Sequence, residues 1–500
     1  MKYTKPPSVK YPVGHWWLFN WMFMVILMSI LFIAAYILIS LEHKIKINKA
    51  ATALVTGMLL WTIYIFISPG IVPQHHEEAF KFYLSENDVL RELSLKEQTV
   101  SFVENYQLIE HVGDVAEIVF FLLGAMAVVE LIDMHCGFSL ITDRITTRNR
   151  KKLLWILVII SFFLSAIIDN LTTAIVMVTL LNKIIADKNE RWLFASVVII
   201  ASNSGGAWSP IGDVTTILLW VKGTVTPIKL MEYVFIPSLV SVIIPLLMVS
   251  RSLHGEIPVM TDEHKHKMRH DEIIDQRRKI TVLVMGISGL LMVPIFKNFT
   301  NLPPFVAIML VLGTLWIITD LMYRRIPDNI PFHLRAASLI KRIDLPTLLF
   351  FMGILLAVAA IQEAGGLLAL SKFLETKFNN IYTINIVIGF LSAIVDNVPL
   401  VAAALGLYPL VDSSTLSTIS DPTFMAYFVP DGIYWHFLTY CAGVGGSLLI
   451  IGSAAGVVVM GIEKIHFIWY LKKISLMALL GYLGGAAAFI LEVFLIHGRL

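Results

Sequence analysis

Charge and cysteine are both scarce in this chain. Charged residues fill 15% of its 500 positions and hydrophobic residues 57%. Soluble domains carry about 25% charge, so this composition excludes one and points to an integral membrane protein. The two cysteines, Cys136 and Cys441, stand far apart and match no metal-ligand spacing. Both read as small apolar fillers. The net charge of +2 gives no sign of a nucleic-acid partner. A G-x-x-x-x-G-K-[ST] loop is absent, which removes that kind of nucleotide hydrolysis as an energy source. H-E-x-x-H is absent too, and no nucleophile–base pair stands at membrane depth, which argues against an embedded enzyme.

What the chain does contain is long apolar runs. They recur with about 17 residues or more, which fits a helical bundle rather than an outer-membrane barrel. Residues 1–16 form a polar segment with three prolines. No small-residue cleavage site follows the first run, so a retained helix is expected. That run covers about Trp17 to Ile39 and the second about Ala51 to Ser68, with a basic turn from Glu42 to Lys49 between them. The stretch from Val72 to Gly113 is polar and acidic, and a third run follows from Val115 to Leu131. Short loops rich in Lys and Arg mark the cytoplasm. The 42–49 turn and the loop carrying Arg144, Arg148, Arg150, Lys151 and Lys152 are then inside, and the acidic stretch is outside.

Two stretches stand out at membrane depth. Ser165-Ala166-Ile167-Ile168-Asp169-Asn170 returns as Ser392-Ala393-Ile394-Val395-Asp396-Asn397. An ionisable group there costs several kcal/mol unless it has a job and a partner. In the first, two apolar arms lie within 153–185, each about 16 residues or about 24 Å long at about 1.5 Å per residue. That is short of the roughly 30 Å hydrocarbon core. Basic residues flank both ends, so the spacing predicts a re-entrant hairpin, with two short full spans as the alternative. The second hairpin is expected over 384–410. After each comes a helix interrupted by glycine: 192–220, with Asn203-Ser204-Gly205-Gly206 and Gly212-Asp213, and 434–460, with Gly445-Gly446-Ser447 and Gly452-Ser453. Irregular backbone at that depth survives only where it is buried or lines a cavity.

Gly205, Gly206 and Gly212 align with Gly445, Gly446 and Gly452 without a gap, and the first hairpin opens to the basic side, the second to the acidic side. The expected fold is an all-α polytopic membrane protein of two inverted-topology repeats, each with a re-entrant hairpin and a broken transmembrane helix. The repeats span 17–250 and 280–500, joined by a charged cytoplasmic loop over 251–279. This is the pattern of a secondary transporter with its site at the repeat interface. A channel is disfavoured, because hairpins with carboxylate tips suit occlusion better than continuous conduction.

The tips and breaks offer oxygen donors: Ser165, Asp169, Asn170, Thr172, Asn203, Asp213, Thr215 and Thr216 in the first half, and Ser392, Asp396, Asn397 and Ser447 in the second. No Arg, Lys or His stands among them. Hard oxygen ligands suit a hard cation. Three acids would repel a carboxylate or phosphate and attract a small cation, and each can take a proton in its place. Competition plus alternating access yields exchange. Structural readings compete: the Asp-Asn pairs and Asp213 as helix caps, and Thr215-Thr216 as residues bonding back within the helix. Glu117, inside the third run, is a candidate proton relay or an interfacial residue. Glu130 and Asp133 read as solvated, and Asp344 and Glu363 as boundary residues, with a relay role as the alternative. His254, His264, His266 and His270 belong to a charged loop that is more often simply solvated.

The repeated S-A-I-[IV]-D-N, with N-S-G-G-A-W-S-P-I-G-D-V-T-T after the first copy, resembles the NhaD-type Na+/H+ antiporters. These belong to the ion transporter superfamily, together with divalent anion/Na+ symporters and arsenite permeases. The resemblance runs from about residue 114 onward. It implies an inner-membrane multi-pass homodimer with elevator-like movement of the hairpin domain, exchanging Na+, and Li+ with it, for H+. No cofactor is implied beyond the transported ions. Family residues match at Ser165, Asp169, Asn170, Asn203, Asp213, Thr215, Thr216, Ser392 and Asn397, and at Glu117 before the first hairpin. Na+ is expected at Asp169, Asn170, Asp213 and Asn397. Ser453 stands where the second half lacks an acid matching Asp213. A Na+-coupled dicarboxylate symporter and an arsenite or oxyanion exporter are the rival readings.

Overall fold

The computed structural model describes residues 15–40, 42–142, 144–257, 275–323, 342–367, 380–394, 396–408, 410–412 and 422–497. The histidines at 264, 266 and 270, and the loop arginines at 324, 325 and 335, lie outside the described residues. The described chain is helical, with one isolated bridge between Asn149 and Glu256. Eight of its helices are long and apolar enough to cross a membrane, or nine if a bent pair counts as one.

The principal helices are α1 (His15–Ser40), α2 (Lys49–His75), α3 (Leu108–Met134), α4 (Arg150–Ile168), α5 (Asn170–Ile184), α6 (Lys188–Ala207), α7 (Val214–Val221) and α8 (Pro227–Ser252). Then come α9 (Gln276–Thr300), α10 (Pro304–Tyr323), α11 (Leu345–Glu363), α12 (Ile381–Ser392), α13 (Asn397–Leu407), α14 (Ile433–Gly445), α15 (Ala454–Glu463) and α16 (Ser475–His497). The acidic 72–113 stretch is mostly helical: Glu77–Glu86 and Leu95–Phe102 run toward α3, and Ser94 with Glu97 forms a capping box.

Packing falls into two groups. One holds α1, α2, α3, α9, α10 and α11; the other holds α4–α8 and α12–α16. They meet mainly where α11 packs on α13, with smaller contacts of α3 on α7 and α4 on α9. In the first group α2 and α11 touch backbone to backbone. A Cβ on Gly57 would come within 2.6 Å of the Gly353 carbonyl oxygen. Outward faces such as Ile26, Ile30 and Ile33 of α1 and Leu310 and Ile317 of α10 are apolar and exposed. In water they would be a liability; against lipid they are solvated.

In the second group α4 packs on α6 as α12 packs on α14. The second pieces then cross over: α5 packs on α15, and α7 on α13. Helices α6 and α14 are buried from Phe194 to Ala207 and from Tyr434 to Gly445, and they carry Asn203 and Ser204 into the interior. Polar side chains so placed must find partners inside the protein.

Candidate functional site

The glycine pairs were expected to unwind α6 and α14. Instead α6 stays helical through Ala207 and α14 through Gly445, and the breaks fall at 208–213 and 446–453. The glycines serve close approach. A Cβ on Gly205 would come within 2.2 Å of the Phe162 carbonyl oxygen, and on Gly445 within 2.3 Å of that of Gly389. A Cβ on Gly212 or Gly452 would reach 2.7 Å from the carbonyl oxygen of Ser165 or Ser392. The C-terminal ends of α4 and α12 therefore lie directly on the breaks that follow them in sequence.

Hydroxyls pin these contacts. Ser165 donates to the Ser202 carbonyl at 2.5 Å, and Ser392 to that of Ala442 at 2.8 Å. Both serines are fully buried, and their hydroxyls bond to backbone carbonyls. Asp169 turns the corner between α4 and α5 at φ +85°. That region is sparsely populated by residues with a Cβ and costs about 1–3 kcal/mol. Its carboxylate caps α5, accepting from the Thr172 amide at 2.8 Å and the Thr172 hydroxyl at 2.9 Å.

The centre is Asp213, which is 1% exposed. It caps α7, accepting from the Thr215 amide and hydroxyl at 2.9 Å each. Thr216 completes the cap, donating to the Asp213 carbonyl at 2.7 Å. Asn170 Nδ2 donates to Asp213 Oδ2 at 2.6 Å and to Asn203 Oδ1 at 3.1 Å. Asn397, at the second hairpin tip, donates to Asp213 Oδ2 at 3.2 Å. Asn203 in turn donates to Ser447 at 2.9 Å and Ser453 at 2.8 Å. Seven side chains, those of Asp213, Thr215, Asn170, Asn203, Asn397, Ser447 and Ser453, thus form one buried network. Capping and membership of this network coexist at Asp213.

Other expected residues fall elsewhere. Glu117 has Lys297, Asp114 and Lys222 as its charged neighbours. Glu363 is no simple boundary residue: it takes hydrogen bonds from Gln107 and from His111 (3.0 Å), and His76 lies 3.4 Å away. The structure also corrects the expectation that no basic residue reaches the tips. Lys49 Nζ sits 2.9 Å from Asp396 Oδ2. Its place in a basic turn made it look solvated.

Two cavities lie among the helices around the site. One, of about 540 Å3, separates α3 from α5; Thr172, Glu130, Asp133, Arg342 and Asp344 are among its walls. The other, of about 350 Å3, lies at the far ends of α3 and α11, beside Glu110, Asp114 and Glu363.

A multi-pass helical chain whose interrupted helices close on a buried carboxylate and three amides is a membrane transporter. A family model described as "Citrate transporter" matches residues 34–429. The chain belongs to that family, as an NhaD-type member of the ion transporter superfamily. It is 38% identical to sodium/proton antiporter 1 of Arabidopsis thaliana over 463 residues, 93% of this chain and 72% of the relative. It is 37% identical to sodium/proton antiporter 2 of the same plant, covering 98% of that protein. The Na(+)/H(+) antiporter NhaD of Vibrio cholerae is 28% identical over 91% of this chain and 88% of its own.

Proposed function

We infer that this protein is a Na+/H+ antiporter, moving cytoplasmic Na+, and Li+ as its chemical relative, outward in exchange for H+. The observation that carries the reading is Asp213, a buried carboxylate that accepts from Asn170 and Asn397 at the two tips and from Thr215 of its own helix. Such a carboxylate holds a proton or a small cation, and one excludes the other. As arranged, the amides of Asn170 and Asn397 turn their N–H groups toward it. A sodium ion needs oxygen instead. Rotating an amide by half a turn exchanges its donor for its acceptor, so Asn170, Asn203 and Asn397 would serve both states. Asp169, with Thr172, would supply the second charge at the tip. The relatives named as sodium/proton antiporters support the same exchange.

The two halves act as inverted-topology repeats over 17–250 and 280–500, each with a re-entrant hairpin and a broken helix. The crossed packing of α5 on α15 and α7 on α13 supports this arrangement. In this conformation the larger cavity is walled by Leu171 and Thr172, next to Asp169, and by Arg342 and Asp344. With the basic loops in the cytoplasm, the site faces inward. Alternating access would carry α4–α7 and α12–α15 past the other group, in a homodimer set in an inner membrane. The family description names citrate. An anionic substrate needs cationic partners, and no Lys or Arg joins the Asp213 network among the described residues.

The test uses everted vesicles from a host lacking sodium antiporters, with a fluorescent probe of internal acidity. Collapse of the gradient by NaCl and LiCl but not KCl, lost in Asp169→Asn, fits the reading. No response from mildly acidic to alkaline pH, together with Na+-stimulated succinate uptake, would replace it with the symporter.

A further inference from the structure

The two hairpin tips share a sequence but not a chemistry. Asp169 caps its own helix through two bonds from Thr172. Asp396 makes no side-chain cap on α13, and its Oδ1 is buried without a hydrogen-bond partner. Among the described residues its salt-bridge partner is Lys49, whose Nζ lies 2.9 Å from Oδ2 and 4.4 Å from the centre of the Phe350 ring. The two side chains are only 20% and 11% exposed.

Lys49 is also held in an unfavourable place. It is the first residue of α2, where Asn48 accepts from the Ala50 amide at 2.8 Å and fixes the start of the helix. A cation at a helix N-terminus opposes the macrodipole. Carboxylates offset that cost: Glu42 accepts from the Lys49 amide at 3.3 Å, and Asp396 meets the ammonium from the other packing group.

We propose that Lys49 is a built-in counter-cation for the second hairpin: it neutralises Asp396, so that ion binding falls to Asp169 and Asp213 alone. The inference rests on the antiport reading and deepens it, since it sets which carboxylates take cargo. The near-symmetric tips then have unequal roles, one holding an exchangeable ion and the other a tethered ammonium. Lys49 acts through Asp396 and is a positioning residue.

The experiment compares Lys49→Met, Asp396→Asn, their double variant and Lys49→Arg in reconstituted full-length protein. Each neutral single variant leaves one charge buried without its partner, and Na+/H+ exchange should fall about tenfold, within the usual range of coupling between contacting residues. The double variant should exceed both singles, and Lys49→Arg should keep most of the exchange. A double variant as inactive as Asp396→Asn, or lower, would mean that Asp396 carries cargo itself, and would overturn the proposal. Melting temperatures of the same proteins give a readout without transport. The double variant should melt above Lys49→Met; strictly additive losses would refute the pairing. If the unaltered protein exchanges no Na+, the antiport reading fails and the melting series still decides the pair.

Discussion

Asn203 of the first half donates to Ser453 of the second at 2.8 Å. Ser453 occupies, in its own half, the place that Asp213 occupies in the other: each caps the helix piece that restarts after the break. The two broken helices therefore hold one acid and one hydroxyl at their restart points, and Asn203 reaches across to the hydroxyl. The network has a single buried carboxylate at its centre, with an amide linking it to the opposite half.

That linkage makes Asn203→Ala informative. The change removes the acceptor of Asn170 and the donor to Ser447 and Ser453 in one step. Partners that orient ion ligands typically change affinity about 10–100-fold when lost. The expected outcome is a Na+ concentration for half-maximal exchange raised by that factor, with a smaller loss of maximal rate. Vesicle titrations with NaCl read both. An unchanged Na+ dependence would remove Asn203 from the site.

Competition between ions gives a second expectation, with a definite sign. If one Na+ and one H+ exclude each other at the same carboxylate, protons raise the apparent Na+ constant as pH falls. The limiting slope is about tenfold per pH unit for one competing proton. Exchange at fixed, low Na+ should therefore fade on acidification of the Na+-loading side, and excess Na+ should restore it. A maximal rate that falls while the Na+ constant stays fixed would point to protonation away from this carboxylate.

Much of the site was legible in the sequence because membrane depth makes exceptions conspicuous. Asp169, Asp213, Asp396 and the glycine pairs interrupt apolar runs, so their presence demanded an explanation. Residues whose chemistry looked ordinary in context were not legible. Lys49 belongs to a basic turn, and its partner lies 347 positions away. Glu363 sits at the end of a span, where a carboxylate is usually solvated, yet Gln107 and His111 of the α3 region come to it from 256 and 252 positions away. The glycine pairs were read as helix breakers. Gly205, Gly206 and Gly445 stay helical while Gly446 falls in the second break, and what they provide is the absence of a side chain against another backbone.

The last prediction follows from that absence. Gly212 and Gly452 both carry a break across a serine carbonyl, and a Cβ at either would come within 2.7 Å of that oxygen. At that distance the backbone itself must shift, since no flexible side chain is there to give way. Overpacking of this kind costs about 1–3 kcal/mol. Gly212→Ala should do further damage, because Asp213 follows directly and its carboxylate holds Asn170 at 2.6 Å. Gly452→Ala displaces Ser453, which holds only the far end of Asn203. Both variants should melt earlier by a similar margin in detergent. Exchange, however, should fall more steeply in Gly212→Ala, because its shift moves the central carboxylate. Equal losses of exchange would mean that the two breaks contribute alike, and that Asp213 is not the centre around which the site is built.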